Sequence, residues 1–410
     1  MKHVCVVGAG IVGLSTALSL QSAGFKVTLI DSQKPGLGTS FGNAGLFADY
    51  ARLPFASFSM LKQMPGMLLD STSPLRIDPG YTPKLIPYGL GYIKACLPEN
   101  YRKGRQLLTD LQKLAPASNQ ALFNQAKVHH LVKKNGCLAL YSSQAGYDAA
   151  RAGHFKEREE QGVNFEFLSA EDIRDLEPDL QHFYHAGVNY SDVQFSVDPL
   201  ELSKQCFQQF LKDGGIWFQK RVESLGEFGS QAFVNCGSER LSFDHLVVAA
   251  GEASGRLLNS LGNKVPLVSE RGYHLMLQPS GKTLSRPVGW LDKSVFITPM
   301  EAGLRIAGTA EFAKTDAAES SQCVGNMLAH AQTMLGEQKL QSSWVGSRPS
   351  TPDSLPIIGP LSDGSRIILA SGHGHLGLTL AAVTAQLVTD CIFDRADKPL
   401  ISGLSIQRFS

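Results

Sequence analysis

The first thirty residues switch between two periodicities. Val4 to Gly8 is a short β-branched apolar run, Ile11 to Ala23 carry apolar residues at helical spacing, Gly24 can end that helix, and Lys26 to Asp31 (KVTLID) is a second apolar strand. The pattern predicts a β-α-β unit in a buried parallel sheet. The same strand type returns at His245 to Gly251 (HLVVAAG) and at Arg366 to Ser371, which is followed by a long, mostly apolar helix over Leu376 to Ile392. Between these segments other patterns appear. Arg102 to Val132 reads as one or two amphipathic helices, Pro199 to Gly214 as a helix, and Ile216 to Val222 and Ala232 to Cys236 as short strands. Alternation in Tyr273 to Leu277, Ser294 to Thr298 and Leu304 to Ala307 predicts an antiparallel sheet. The expected fold is α/β with two interleaved domains: a Rossmann-type dinucleotide domain from 1–48, 196–265 and 340–410, and an α+β substrate domain on the antiparallel sheet from 49–195 and 266–339.

Composition narrows the class. With 410 residues, 43% hydrophobic and 18% charged, the chain has a core to build and is not disordered. The 38 basic and 37 acidic residues leave a net charge of +1 with no single-sign block, which gives a nucleic-acid partner no support. Seven scattered cysteines without a C-x-x-C pair suggest neither a disulfide framework nor a zinc cluster; reduced thiols in a cytoplasmic protein are expected, and no metal. Val4 to Phe25 is free of charge and could imitate a signal or anchor, but glycines interrupt it and no cleavage site follows, so neither secretion nor spanning is expected.

Gly8-Ala9-Gly10-Ile11-Val12-Gly13 has the G-x-G-x-x-G spacing that permits a tight turn and close approach of a pyrophosphate to a helix N-terminus. Asp31, at the end of the second strand, suits an adenosine ribose and repels a 2′-phosphate, so NADP is disfavoured; the motif does not choose between FAD and NAD. After Asp31 and Ser32 comes Gly38-Thr39-Ser40-Phe41-Gly42-Asn43-Ala44-Gly45-Leu46, too polar and glycine-rich for a helix, and read as a second phosphate and flavin loop. This stretch resembles that of the FAD-dependent D-amino acid dehydrogenases, within the D-amino acid oxidase and glycine oxidase superfamily. Three further segments share the resemblance: Glu270-Arg271-Gly272-Tyr273, Val345 to Asp353 with Pro356 to Gly359, and Gly372-His373-Gly374-His375-Leu376-Gly377-Leu378-Thr379. In order they span essentially the whole chain.

The resemblance implies FAD, held by the fingerprint, by the 39–46 loop, by Val222, Ala250, Gly251 and Gly346, and by Gly374 to Thr379. It also implies that Arg348 binds a substrate carboxylate, for which a planar guanidinium fork is suited, with Tyr273 assisting. His373 and His375 need no proton-transfer role, because hydride transfer from Cα to flavin N5 can be driven by a neutral amine held in position. Neither the Thr39 to Leu46 loop nor Arg348 to Asp353 contains Cys or His, so a noncovalent FAD is expected.

The implied reaction is oxidation of a D-amino acid to the imino acid, which water converts to a 2-oxo acid and ammonia, with electrons leaving to a quinone or another carrier. A cis-4-hydroxy-D-proline or similar dehydrogenase is the alternative. An NAD-linked dehydrogenase and a non-catalytic or RNA-modifying flavoprotein are the rivals from other classes. Leu53 to Leu69, apolar and Met-rich, with Lys84 to Leu97, reads as a lid over the substrate pocket; a peripheral patch at the inner face of the membrane is the second reading. Finally, residues 1–45 hold eight of the 40 glycines and residues 346–377 six, an enrichment that places both ends of the chain at one cofactor.

Overall fold

The computed structural model describes residues 1–409. The chain opens with β1 (His3–Val7), α1 (Ile11–Ser22) and β2 (Lys26–Asp31), then leaves this unit for α2 (Phe58–Leu69), α3 (Thr82–Cys96) and α4 (Pro98–Ala126). It returns through α5 (Pro199–Lys212), β3 (Ile216–Gln219) and β4 (His245–Val248). The long strands β5 (Val268–Leu277), β6 (Val295–Met300), β7 (Gly303–Phe312) and β8 (Leu340–Ser350) follow, and β9 (Ile357–Pro360), β10 (Ile367–Ser371) and α6 (Gly377–Ile392) complete the nucleotide unit.

Among the described residues one sheet runs β3-β2-β1-β4-β10-β9, parallel except where β9 opposes β10. Its strands are apolar on both faces because helices cover both sides. α1 is apolar nearly all round for the same reason: Leu14, Ala17 and Leu18 share a core with Leu380, Ala381 and Val383 of α6. Since β1 and β10 are parallel, α1 and α6 both begin at the carboxyl edge of this sheet, where open α/β folds bind ligands.

The second sheet runs β8-β5-β7-β6 and continues through residues 288–290, 137–141, 186–190 and 166–168. Its period of two gives it two unlike faces. Tyr273, Leu275, Leu277, Ile297 and Ile306 bury one face against the helix Ser321–Leu335. The other face carries Glu270, Gly272 and His274 opposite Arg348, Gly346 and Trp344 and turns toward the 38–46 loop.

Two expected boundaries shift. β8, placed with the dinucleotide domain, is paired along its length with β5 and so belongs to the antiparallel sheet. α4, placed with the substrate domain, inserts Leu108, Leu111, Leu122 and Phe123 into the core built by α1 and α6. Both partners are remote in sequence: an amphipathic stripe announces a buried face and not what covers it. The 102–132 segment supplies one long helix, and β5 and β7 are each ten residues, longer than the alternation suggested. We expect Leu111→Ala to lower the unfolding free energy by about 3 kcal/mol in urea denaturation; a loss below about 1 kcal/mol would remove α4 from this core.

Candidate active site between the two sheets

The turn between β1 and α1 is closed by contact. Gly8 sits at φ +110°, and a Cβ there would strike the Ala249 carbonyl and lie 2.8 Å from the Ala250 Cα. A Cβ on Gly13 would run into the Gly8 carbonyl. The turn therefore nests against the end of β4, with Ala250 and Gly251 beside it, and Ser371 donates from its hydroxyl to the Gly251 carbonyl at 3.0 Å. Ala9 and Ile11 are buried and Gly10 and Val12 partly so. Asp31 accepts the Ala9 N–H at 2.7 Å and the Gln33 N–H at 2.9 Å, which fixes its carboxylate at the lip of the turn; Ser32 is exposed next to it. The side chain of Val222 is committed to a core cluster, leaving its backbone as the group available to a ligand.

The 38–46 loop spans the gap between the sheets. Ser40 Oγ accepts the Ile11 N–H at 2.9 Å on one side, and Thr39 Oγ1 donates to the Ser347 carbonyl at 2.6 Å on the other. Asn43 ties the loop to itself, its amide donating to the Ser40 carbonyl and its oxygen accepting from Gly45 N–H. The antiparallel sheet holds the rest. Thr298 Oγ1 donates to the Ala44 carbonyl at 2.8 Å, and Arg305 donates to the carbonyls of Phe41 and Asn43 at 3.1 and 3.0 Å. Arg305 is buried, which lowers its pKa to about 10 and still leaves it charged at neutral pH. Trp344 stacks on His274 and fills the space where Gly42 and Gly346 lack a side chain. Leu46 pairs with Phe195, and Thr379 Oγ1 accepts the Ala48 N–H at 2.9 Å, so the loop ends on α6.

At the start of α6, His373 is buried with Nε2 2.9 Å from Thr384 Oγ1, while His375 lies edge-on to Phe55 at 4.5 Å. Burial lowers both imidazoles to about 4, so both are neutral at pH 7 and poor proton acceptors. His375 keeps exposed surface beside Phe55 and so borders an open space at this end of α6. Gly374 and Gly377 are partly exposed beside it, with Leu376 and Leu378 packed beneath. The cap residues Gly10 of α1 and Leu376 of α6 provide no side-chain acceptor; Ser40 Oγ takes the Ile11 N–H, and the next N–H groups of both first turns have no side-chain partner among the described residues. Turns closed by glycine and two helix N-termini with N–H groups free of side-chain acceptors fit a dinucleotide cofactor.

Arg348 stands across that space. Its Nη1 donates to Glu270 Oε1 at 3.1 Å and to the Thr309 carbonyl at 2.9 Å, and its Nη2 to the Gly308 carbonyl at 3.5 Å. Ser350 Oγ donates to the other Glu270 oxygen at 2.7 Å. The Nε–H and one Nη2 N–H, the side of the guanidinium that can clasp a carboxylate, meet no acceptor among the described residues. Gly272 lies directly under the group, where a Cβ would collide with it. From α3, Tyr88 and Tyr92 approach Glu270; burial first and then neighbouring groups including that carboxylate raise both phenols. Tyr92 Oη also donates to the Phe55 carbonyl, so the chain around α2 and α3 roofs the site.

Tyr273 is not part of this cluster. One residue past Gly272, it points through the sheet to the opposite face, donates to Glu311 Oε2 at 2.7 Å and accepts the Ser320 N–H at 3.0 Å. Arg271, almost fully buried, completes that pair at 2.9 Å from Glu311. Strand parity, which the motif alone does not reveal, overturns the expected role beside Arg348. Sequence reasoning gave no role to Glu270, Arg305, His274 or Trp344. Glu270 stood inside a motif that had been singled out, but its partnership with Arg348 depends on the β5–β8 register. Among the described residues no group of three His, Cys, Asp or Glu is placed to hold a metal.

Comparison with known proteins is consistent across the chain. A family model described as FAD dependent oxidoreductase matches residues 3–391. A D-amino-acid oxidase of Bradyrhizobium diazoefficiens is 31% identical over 418 residues, covering 100% of this chain and 99% of that protein. A D-amino acid dehydrogenase 2 of Ralstonia nicotianae is 31% identical over 421 residues, covering 96% and 97%. The crystal structure of glycine oxidase from Geobacillus kaustophilus superposes with a TM-score of 0.76 at 18% identity, covering 100% of this chain and 98% of that one, a likeness of fold.

Tyr273→Phe should reduce stability by about 1–3 kcal/mol, from the unmet Glu311 and Ser320 groups, without changing substrate KM; a raised KM at unchanged Tm would return the phenol to the site. The histidines set a pH response. His154, His245, His373 and His375 are all lowered to about 4 in the folded chain, whereas an unfolded histidine binds its proton near 6.5. The unfolded state therefore takes up more protons in this window, and stability is lost as pH falls from about 6.5 toward 4. Tm measured between pH 7 and 5 should fall less steeply in His373→Gln than in the wild type.

Proposed function

From the premise that the chain belongs to the DAO family of FAD dependent oxidoreductases, we propose that it oxidises a D-amino acid to the imino acid, which water hydrolyses to a 2-oxo acid and ammonia. It is an enzyme and its cofactor is FAD. The observation that carries the substrate reading is the Arg348–Glu270 pair: a guanidinium with one edge unspent, beside a carboxylate, both turned to the open space that His375 borders. The two relatives at 31% identity, a D-amino-acid oxidase and a D-amino acid dehydrogenase, support the D configuration.

In this reading the Nε and Nη2 edge of Arg348 takes the substrate carboxylate in two parallel charge-assisted hydrogen bonds. Glu270 keeps the guanidinium aligned and lies within reach of the substrate amine. Neutral His375 and Phe55 bound the same space and exclude water without competing for the proton. Bound FAD supplies the hydride acceptor, its N5. The N–H groups at the start of α6 would offer a positive dipole end to the flavin N1 and C2 carbonyl, where negative charge accumulates on reduction. We further propose that FAD is held noncovalently and that electrons pass to a quinone or another carrier, in a cytoplasmic enzyme; the free cysteines, six of seven buried, suit a reducing compartment.

Anaerobic addition of D-alanine and other acyclic D-amino acids should bleach the flavin spectrum while their L-isomers do not, with a dye as the efficient acceptor. Bleaching by cis-4-hydroxy-D-proline alone would replace this reading with that of a cyclic-amino-acid dehydrogenase. Arg348→Ala should raise KM roughly 100-fold with flavin content unchanged, since a partly buried charged hydrogen-bond partner is lost; an unaltered KM would remove Arg348 from the carboxylate site.

A further inference from the structure

Thr309, within β7, has φ +70°, a left-handed conformation that a β-branched side chain resists. The cause is a bulge. Along β5, Arg271 pairs with Glu311 and Tyr273 with Gly308, so Gly272 stands opposite two residues of β7, Thr309 and Ala310. β7 also changes its other neighbour at this point: residues 303–308 pair with β6, and residues 310–312 with the short strand Leu75–Ile77. Among the residues of β7, Thr309 alone has a ladder partner on neither side. Both flanks are fixed. The Ala310 N–H donates to the Pro74 carbonyl at 2.8 Å, and Gly308 packs so closely at the start of β6 that a Cβ would lie 2.8 Å from the Ser294 carbonyl.

The carbonyl freed in this way is the one that Arg348 uses. Nη1 donates to it at 2.9 Å, and Nη2 reaches the Gly308 carbonyl at 3.5 Å. Gly272, opposite the bulge, lies under the guanidinium. In an unbroken ladder the carbonyls point at neighbouring strands, and a bulge is the device that turns one aside. Nη1 carries two hydrogens; Glu270 Oε1 and the Thr309 carbonyl take one each, which fixes the plane of the group. We propose that Thr309 is a positioning residue: its left-handed backbone aims a carbonyl at Arg348 Nη1 and so holds the Nε and Nη2 edge toward the substrate carboxylate. Backbone strain of this kind persists only where the surroundings impose it, and it gathers at ligand clamps. The backbone, not the side chain, does this, since Thr309 also borders Cys323, Met327 and His330 of the Ser321–Leu335 helix on the far face of the sheet. The inference rests on the reading of Arg348 as the carboxylate ligand.

Deleting Thr309 leaves one residue opposite Gly272 and makes the ladder regular without changing any other pair. The holoenzyme lacking Thr309 should keep its flavin and show a KM for D-alanine raised on the order of 10-fold in dye-coupled turnover, the loss of one hydrogen bond to a charged group, with kcat little changed, as weakened substrate binding requires. Thr309→Pro, whose ring holds φ at about −65°, breaks the conformation a second way and should do the same. Thr309→Gly is the conservative variant: glycine enters the left-handed region freely, so KM should stay at the wild-type value and Tm at or above it. An unchanged KM in whichever of the two broken variants loads flavin overturns the inference. So does a KM raised by Thr309→Gly, which would give the role to the side chain, and so does failure of both broken variants to load flavin, which would make the bulge structural. Arg348→Ala separates the two levels: if it leaves KM unaltered, the carboxylate site itself falls, whereas if it raises KM and the broken variants do not, only the role of the bulge falls.

Discussion

The packing of α6 against α1 and α4 is the contact on which the site depends. Leu14, Ala17 and Leu18 meet Leu380, Ala381 and Val383, and Ser19 Oγ lies 2.8 Å from Thr389 Oγ1 at the far end of the pair. From α4, Asn119 donates to the Thr379 carbonyl at 3.0 Å, and Ser118 Oγ bonds Gln386. Small and branched apolar side chains let the helices approach closely. Because the strands before α1 and α6 are parallel neighbours of β4, this packing brings two glycine-rich turns from opposite ends of the chain to one edge.

The two sheets are then joined by charge as well as by apolar contact. Arg305 is buried, with Nη1 donating to the loop carbonyls of Phe41 and Asn43 and Nε to Met276 Sδ, and Arg348 shares its guanidinium between Glu270 and two carbonyls. Arg305, a buried cation with neutral acceptors, is costly to strand and so fixes the loop backbone that solvates it. Arg348 is only partly buried and keeps its Nε–H and one Nη2 N–H without an acceptor among the described residues, so it can receive a ligand.

The roof has two unlike sides. Its inner side brings Tyr88 and Tyr92 of α3 toward Glu270, and Tyr92 holds the Phe55 carbonyl. Its outer side carries the exposed Ile86, Leu90 and Ile93 beside Lys84 and Lys94.

The β-α-β opening, the glycine fingerprint with Asp31, the return strand at His245 and the apolar helix ending at Ile392 were all legible along the chain, because each rests on local periodicity and on glycines where backbones must touch. Arg348 was legible through its motif. Glu270 as its partner, Arg305 under the loop and the turning away of Tyr273 were not: they depend on which residues of β5 and β8 stand opposite each other, and a shift of one residue exchanges the faces. Likewise the sequence marked Leu53 to Leu97 as apolar, while tertiary packing divided it into a buried inner side and an exposed outer one. Local pattern determined the elements and the cofactor-binding turns by itself; register and long-range packing, which no local run of residues encodes, decided which side chains share the site.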